Sequence, residues 1–178
     1  MTEEAERFDE TGGYGHSLLD NNQVFEKPME TYGGNYARGQ RKYSTGIHRI
    51  RFQLEPVSSD QEANQILFGI ISSSITAKDQ YFDRTPSTYA WGTSSYEWES
   101  ESSIIQNGNH HRVSKDKWPG AKTGDILELT IDCDQRTISI ENQTGQGKDS
   151  MNIDLENSPL PWKFIIIFFT RPDRVRLL

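Results

Sequence analysis

Residues Gly124–Asn142 read GDILELTIDCDQRTISIEN. Leu127, Leu129 and Ile131 alternate with Glu128, Thr130 and Asp132. After the polar break Cys133-Asp134-Gln135-Arg136, Ile138 and Ile140 alternate with Thr137, Ser139 and Glu141. Successive side chains of a strand point to opposite faces, so a period of two marks a half-buried strand. The stretch predicts an antiparallel hairpin with one apolar face and one wet face.

The same pattern extends outward. Ile47–Glu55 places Ile50, Phe52 and Leu54 on one face and Arg49, Arg51 and Gln53 on the other, and Pro56 ends it because proline cannot donate to a ladder. Ile66–Ser72 and Phe164–Phe169 are apolar on both faces, as strands covered twice are. Ser17–Glu26 reads as a small hairpin around Asp20-Asn21-Asn22. Arg174–Leu178 closes the chain as a strand. Tyr32–Gly39 is a loop rich in glycine and tyrosine, Lys78–Pro86 a charged loop and Asn107–Lys117 a polar stretch, while an irregular aromatic segment runs from Tyr89 to Trp98. Helical spacing is weak and confined to Glu3–Glu10 and Ser58–Ala63. Many short strands with turn signals between them predict an all-β fold, a sandwich or a barrel.

Composition sets the bounds. The chain has 178 residues, of which 33% are hydrophobic, and a formal net charge of -7. That length suits one sandwich domain with a core that needs no disulfide. Met1–Glu10 carries five acidic side chains and one arginine, so residues 1–16 read as a disordered acidic tail and residues 17–178 as the domain. The negative charge argues against a nucleic-acid partner, which requires a concentrated basic surface. The longest apolar run, Phe164–Phe169, is far below the roughly 20 residues a spanning helix needs, so no membrane association is expected. One cysteine, Cys133, and a polar start point to a reducing, cytoplasmic setting. Its acidic neighbours Asp132 and Asp134 raise a thiol pKa, so Cys133 reads as inert.

Four segments, in order, resemble the SPRY family. Thr45-Gly46-Ile47-His48-Arg49-Ile50 is similar to its Gly-x-His-x-Trp strand, and Ile66–Ile71 to its apolar-Gly-apolar strand. Tyr89-Ala90-Trp91-Gly92 is similar to its Tyr-Gly-Trp segment, and Gly124–Asn142 to its penultimate hairpin. Ile50 and Ala90 stand where the family usually has tryptophan and glycine, keeping an apolar and a small side chain. The resemblance covers roughly residues 17–178. It implies a two-sheet antiparallel β-sandwich, a concanavalin-like jelly roll, with no catalysis and a protein or peptide partner held by loops at one rim, including the loop before the last strand.

Catalytic chemistry is thinly supported. Glu97, Glu99 and Glu101 alternate on an extended segment, and paired carboxylates about 5–9 Å apart serve glycosidases. Serines flank these acids as on a solvated edge, so an exposed strand is the simpler reading. His110 and His111 are adjacent and would face opposite ways on a strand. His48, beside Ile50 and Phe52 on the inner face, suits a backbone carbonyl better than a metal. No phosphate loop, nucleophile elbow or dinucleotide fingerprint occurs, so neither cofactor nor metal is expected.

Interfaces favour tyrosine, tryptophan and arginine, which bury large area at low entropic cost. The candidate partner-binding residues are therefore Tyr36 and Arg38 in the glycine-rich loop, Tyr96 and Trp98 in the aromatic segment, and, as the resemblance implies, Thr170, Arg171 and Asp173 in the last loop. The expected module is a monomer. A lectin-like sandwich using Tyr96 and Trp98 is the alternative, and a glycosidase using Glu97 and Glu101 the more distant one. All three share one expectation for the backbone. Far-ultraviolet circular dichroism should show strand with little helix, and a helical content near the globular average of about a third would contradict the reading.

Overall fold

The computed structural model describes residues 6–28, 34–57, 66–76, 82–93, 101–169 and 173–178, and for Glu101 the backbone alone. These residues form two seven-stranded sheets whose pairings are all antiparallel. The first sheet runs β1 (Phe8–Gly12), β4 (Asn35–Gly39), β13 (Trp162–Phe168), β6 (Ile66–Ser72), β7 (Tyr89–Gly92), β8 (Glu101–Gln106), β9 (Asn109–Ser114). The second runs β12 (Lys148–Asn152), β11 (Thr137–Asn142), β10 (Ile126–Asp132), β5 (Ile47–Glu55), β14 (Asp173–Leu177), β3 (Val24–Lys27), β2 (Ser17–Leu19). The fold is a β-sandwich, one of the two architectures that the strand pattern allows.

The hairpin β10–β11 pairs Leu129 with Ile140 and Ile131 with Ile138, which puts all four on the inner face. Across the interior, Phe52 of β5 stacks on Phe68 of β6 with centroids 4.5 Å apart and planes 7° from parallel. Phe25 of β3 stacks on Phe168 of β13 in the same way, at 4.5 Å. Three tryptophans close the core, and each indole N–H finds an acceptor, as buried indoles require. Trp91 donates to Asp149 Oδ2 at 2.9 Å, Trp118 to the Gly92 carbonyl at 2.7 Å and Trp162 to the Ser158 carbonyl at 2.8 Å.

Strands β6 and β13 are buried on both faces because the first sheet has a second apolar layer. On its outer side Tyr36, Leu67, Ala90, Ile105, Ile165 and Ile167 gather around Phe82 of a short 3-10 turn, Phe82–Arg84. Gly69 sits opposite Ala90 of β7, where only a hydrogen fits. A Cβ there would lie 1.8 Å from the Tyr89 carbonyl oxygen.

Three expectations are corrected. Phe8–Gly12 is strand β1, not tail, and neither is it helical. Phe8 packs on Phe25 and Phe164, while the acids around it are paired rather than solvated. Glu10 binds Arg38, Asp9 binds Lys163 at 3.0 Å, and Glu6 accepts from the Tyr43 hydroxyl. Next, Asn35–Gly39 of the supposed glycine-rich loop is strand β4, buried throughout. Finally, the polar stretch after Gln106 is half of a hairpin. Asn107 (φ 53°) and Gly108 (φ 68°) form its two-residue turn, the left-handed pair that matches strand twist. The Ser58–Ala63 helix candidate lies outside the described residues.

Phe52, Leu54, Leu129, Ile131 and Ile138, inward by alternation, and Phe68 and Ile166, from the strands apolar on both faces, are all buried, none above 2% exposed. Leu129→Ala should therefore lower stability by about 2–5 kcal/mol through lost transfer energy and a cavity. Glu141→Ala, on the wet face, should change it by about 0.5 kcal/mol or less. Equal urea midpoints for the two variants would place the hairpin one residue out of register.

Candidate partner-binding rim

The ladders fix which connections share an end of the sandwich. Phe168 pairs with both Asn35 and Ile66, and Leu67 with Gly92, so β13 ends where β4 and β6 begin and β7 ends. In the second sheet Asp173 pairs with Lys27, and Arg174 with Glu55, so β14 begins where β3 and β5 end. The Lys27 ammonium joins the two sheets at this end by donating to the Phe169 carbonyl. The strand ends that flank residues 29–33, 58–65, 94–100 and 170–172 thus gather at one rim, while those four connections themselves lie outside the described set. Tyr96, Trp98, Thr170 and Arg171 belong to those connections, as does Glu97.

The other three candidates are placed inside the fold. Tyr36 is 6% exposed, and its ring meets Phe82 edge-on at 4.4 Å. Burial raises its phenol pKa, with the Glu10 carboxylate adding to the effect. Arg38 is 4% exposed, donates to Glu10 and to the Ile75 carbonyl at 2.6 Å, and lies 5.5 Å from the Phe82 ring centre. Both side chains hold the outer layer of the first sheet. Asp173 is 7% exposed and sits directly opposite the fully buried Lys27. Sequence reasoning took β4 for a loop because Tyr32–Gly39 is rich in glycine and tyrosine. The burial of its side chains depends on partners far away in the chain.

Two further segments shape the rim. Pro119–Lys122 and Gly145–Gly147 wall a groove of about 510 Å³ floored by Asp125 and Asn142. The floor is rigid. Asn142 Nδ2 donates to Asp125 Oδ2 at 2.8 Å, and the Thr144 hydroxyl donates to Asp125 Oδ1 at 3.2 Å. The Lys122 and Gly145 amides cap the same two side chains at 3.0 and 2.8 Å. The clustering of proline and glycine was the readable sign of these turns. At the foot of the rim, His16 packs on Phe25 at 5.6 Å, and burial lowers its pKa.

Elsewhere the reactive candidates are spent on structure. Cys133 is 4% exposed, and burial, with Asp134 and Asp132 beside it, pushes its thiol up to about 11. His48 is half-buried rather than fully inward, and its Nε2 lies 2.7 Å from the Thr45 carbonyl. His110 sits 3.3 Å from Asp83 at the edge strand. Among the described residues no three His, Cys, Asp or Glu side chains converge on a possible metal position.

No protein-family model matches the sequence, and no curated protein does either. Solved structures do match. The SPRY domain of human HERC1 superposes with a TM-score of 0.68 at 14% identity, covering 96% of each chain. The PSpry domain of TRIM65 gives 0.69 at 14% identity, over 98% of this chain and 92% of that one. The chain has the SPRY fold. Stonustoxin contains a similar unit, with a TM-score of 0.67 at 13% identity over 98% of this chain and 27% of the toxin chain. At such identities the likeness concerns fold alone. The four segments that resemble SPRY motifs become the start of β5, β6, β7 and the hairpin β10–β11 of this SPRY-like sandwich.

The rim therefore has a buried ammonium beneath it. Lys27→Met would strip the Phe169 carbonyl of its donor. Leaving that buried carbonyl without a partner should cost about 1–3 kcal/mol in urea unfolding. A cost below about 1 kcal/mol, the range of exposed pairs, would show that the ammonium does not hold the rim.

Proposed function

We propose that this SPRY-like sandwich is a non-catalytic protein-interaction module that acts as a cytoplasmic monomer and holds a protein or peptide partner at the rim. The observation that carries this reading is the convergence of four strand connections on one end. Two of them contain Tyr96, Trp98 and Arg171, the residue types that dominate binding energy at interfaces. The SPRY fold supports the same reading, since the resemblance implies a partner held by loops at one rim. A rigid floor under the groove between Pro119–Lys122 and Gly145–Gly147 supports it too, because little ordering entropy is then lost on binding. The lone, buried Cys133 accords with a reducing compartment. Among the described residues no helix is long and apolar enough to cross a membrane.

Within the site, Arg171, Thr170, Tyr96 and Trp98 are assigned to partner contact. Asp173 is assigned to support beneath the rim, and Tyr36 and Arg38, buried in the outer layer of the first sheet, to the fold. Arg171 is the most direct test. Pro172 stiffens its connection, and a guanidinium offers planar donors to a carboxylate or carbonyl. Arg171→Ala should leave the melting temperature almost unchanged. Calorimetry should show binding to the native partner weakened by roughly 2 kcal/mol or more, about thirtyfold. Unchanged affinity would remove that connection from the site.

A further inference from the structure

Strand β12 (Lys148–Asn152) is an edge of the second sheet and pairs with β11 alone. Two hydrogen bonds at the ends of this ladder settle which of its groups are spent. The Asn142 amide donates to the Gly147 carbonyl at 3.0 Å, and the Ile153 amide to the Arg136 carbonyl at 2.8 Å. Bonded and non-bonded pairs alternate along an antiparallel ladder, so Asp149 and Met151 bond to β11. Lys148, Ser150 and Asn152 turn their N–H and C=O groups outward. The Lys148 amide has the same parity, since it donates away from β11 to the Lys117 carbonyl at 3.1 Å. Beyond that contact, no described strand takes the N–H or C=O of Ser150 or Asn152. The chain leaves β12 for β13 in the other sheet, so its own continuation does not cover the edge. No proline, bulge or register shift interrupts β12, although these are the devices that blunt an edge. A regular unpaired edge is a template for an added strand.

Charge at the two ends of this edge selects the guest. Lys117 stands at one end, through its contact with Lys148, and Arg136 at the other, opposite Ile153. Both residues are exposed, and among the described residues neither is paired with an acid. The acids nearby are engaged elsewhere. Glu141 lies 3.3 Å from the Lys148 ammonium, and Asp149 accepts from the Trp91 indole at 2.9 Å. Asp154 accepts from the Glu156 amide at 2.9 Å and from the Asn157 side chain at 2.6 Å. Asp116, the neighbour of Lys117, lines the rim groove. On a chain of net charge -7, two such cations bracketing an open edge are a local reversal of sign. Ser150 and Asn152 are exposed and short, so the backbone between the cations is within reach of a guest.

We propose that the edge of β12 receives an extended acidic segment of a partner protein as a short antiparallel strand. Main-chain hydrogen bonds to Ser150 and Asn152 set its register. The pleat then places every second guest side chain on the wet face beside Ser150 and Asn152, where carboxylates fit between Lys117 and Arg136. The intervening side chains turn to the side of Met151, which belongs to the core, and apolar groups fit there. The guest pattern is an alternation of acidic and apolar residues. This edge runs down the side of the sandwich and does not depend on the rim site.

The test uses the full chain and a fluorescein-labelled, capped Glu-Val-Glu-Val-Glu peptide. Anisotropy should show saturable binding, weakened about tenfold or more by Lys117→Glu with Arg136→Glu, at a nearly unchanged melting temperature. Ser150→Pro removes an outward N–H that no described strand uses, a change edge strands tolerate, and should weaken binding to a similar degree. A peptide N-methylated at its glutamate amides keeps its charge but loses the donors that face β12, and should also bind about tenfold more weakly. Amide exchange should slow at Ser150 and Asn152 when the unmodified peptide is bound, and Arg171→Ala should leave the affinity as it is. Absence of saturable binding, or equal binding of the N-methylated peptide, would overturn the proposal. So would indifference to the charge-reversed double variant, sensitivity to Arg171→Ala, or self-association of the chain abolished by Ser150→Pro, which would give the edge to a second copy.

Discussion

Everything in this sandwich depends on aromatic rings that cross its interior. Phe52 on Phe68 ties β5 to β6, and Phe25 on Phe168 ties β3 to β13. A one-residue slip in any of these strands would turn its ring to the other face, so the stacks fix register as well as distance. Register in turn decides which strand ends coincide. The rim exists because Phe168 lies beside Asn35 and Ile66 in one sheet while Asp173 lies beside Lys27 in the other.

The outer layer of the first sheet is the second constraint. It buries β6 and β13 from both sides, and it turns Tyr36 and Arg38 into structural groups. Arg38 illustrates the physics. A guanidinium inside a protein is tolerable when its donors are met by a carboxylate and a carbonyl, and Glu10 and Ile75 provide them. The same pairing brings β1 into the sheet. Acidic residues at the chain's start therefore act as strand residues with fixed partners.

How much of this was legible in the sequence follows from how local each cause is. The hairpin β10–β11 and the strands β5, β6 and β13 announce themselves through alternation or continuous apolar runs, which are local. The turn at Asn107-Gly108 was also readable, but it was passed over because the strand after it is polar and lies at an edge. β1 and β4 were not readable. Their polar side chains are held in the sheet only because Glu10 meets a residue 28 positions away and Asp9 one 154 positions away. For the site, the segments that hold Tyr96, Trp98 and Arg171 lie outside the described residues, and the structure takes Tyr36, Arg38 and Asp173 into the fold. Residue type could not foresee that burial, because exposure is set by the tertiary fold and not by residue type.

The central claim is that one end of the sandwich holds the partner while the core only presents it. Hydrogen exchange read by mass spectrometry on the chain, free and bound to the partner purified with it from source cells, tests this most directly. Protection should appear in peptides spanning 29–33, 58–65, 94–100 and 170–172, and leave the opposite turns at Asp20–Gln23, Asn107-Gly108 and Cys133–Arg136 unchanged. Protection confined to those opposite turns, with the four rim connections unaffected, would contradict the account.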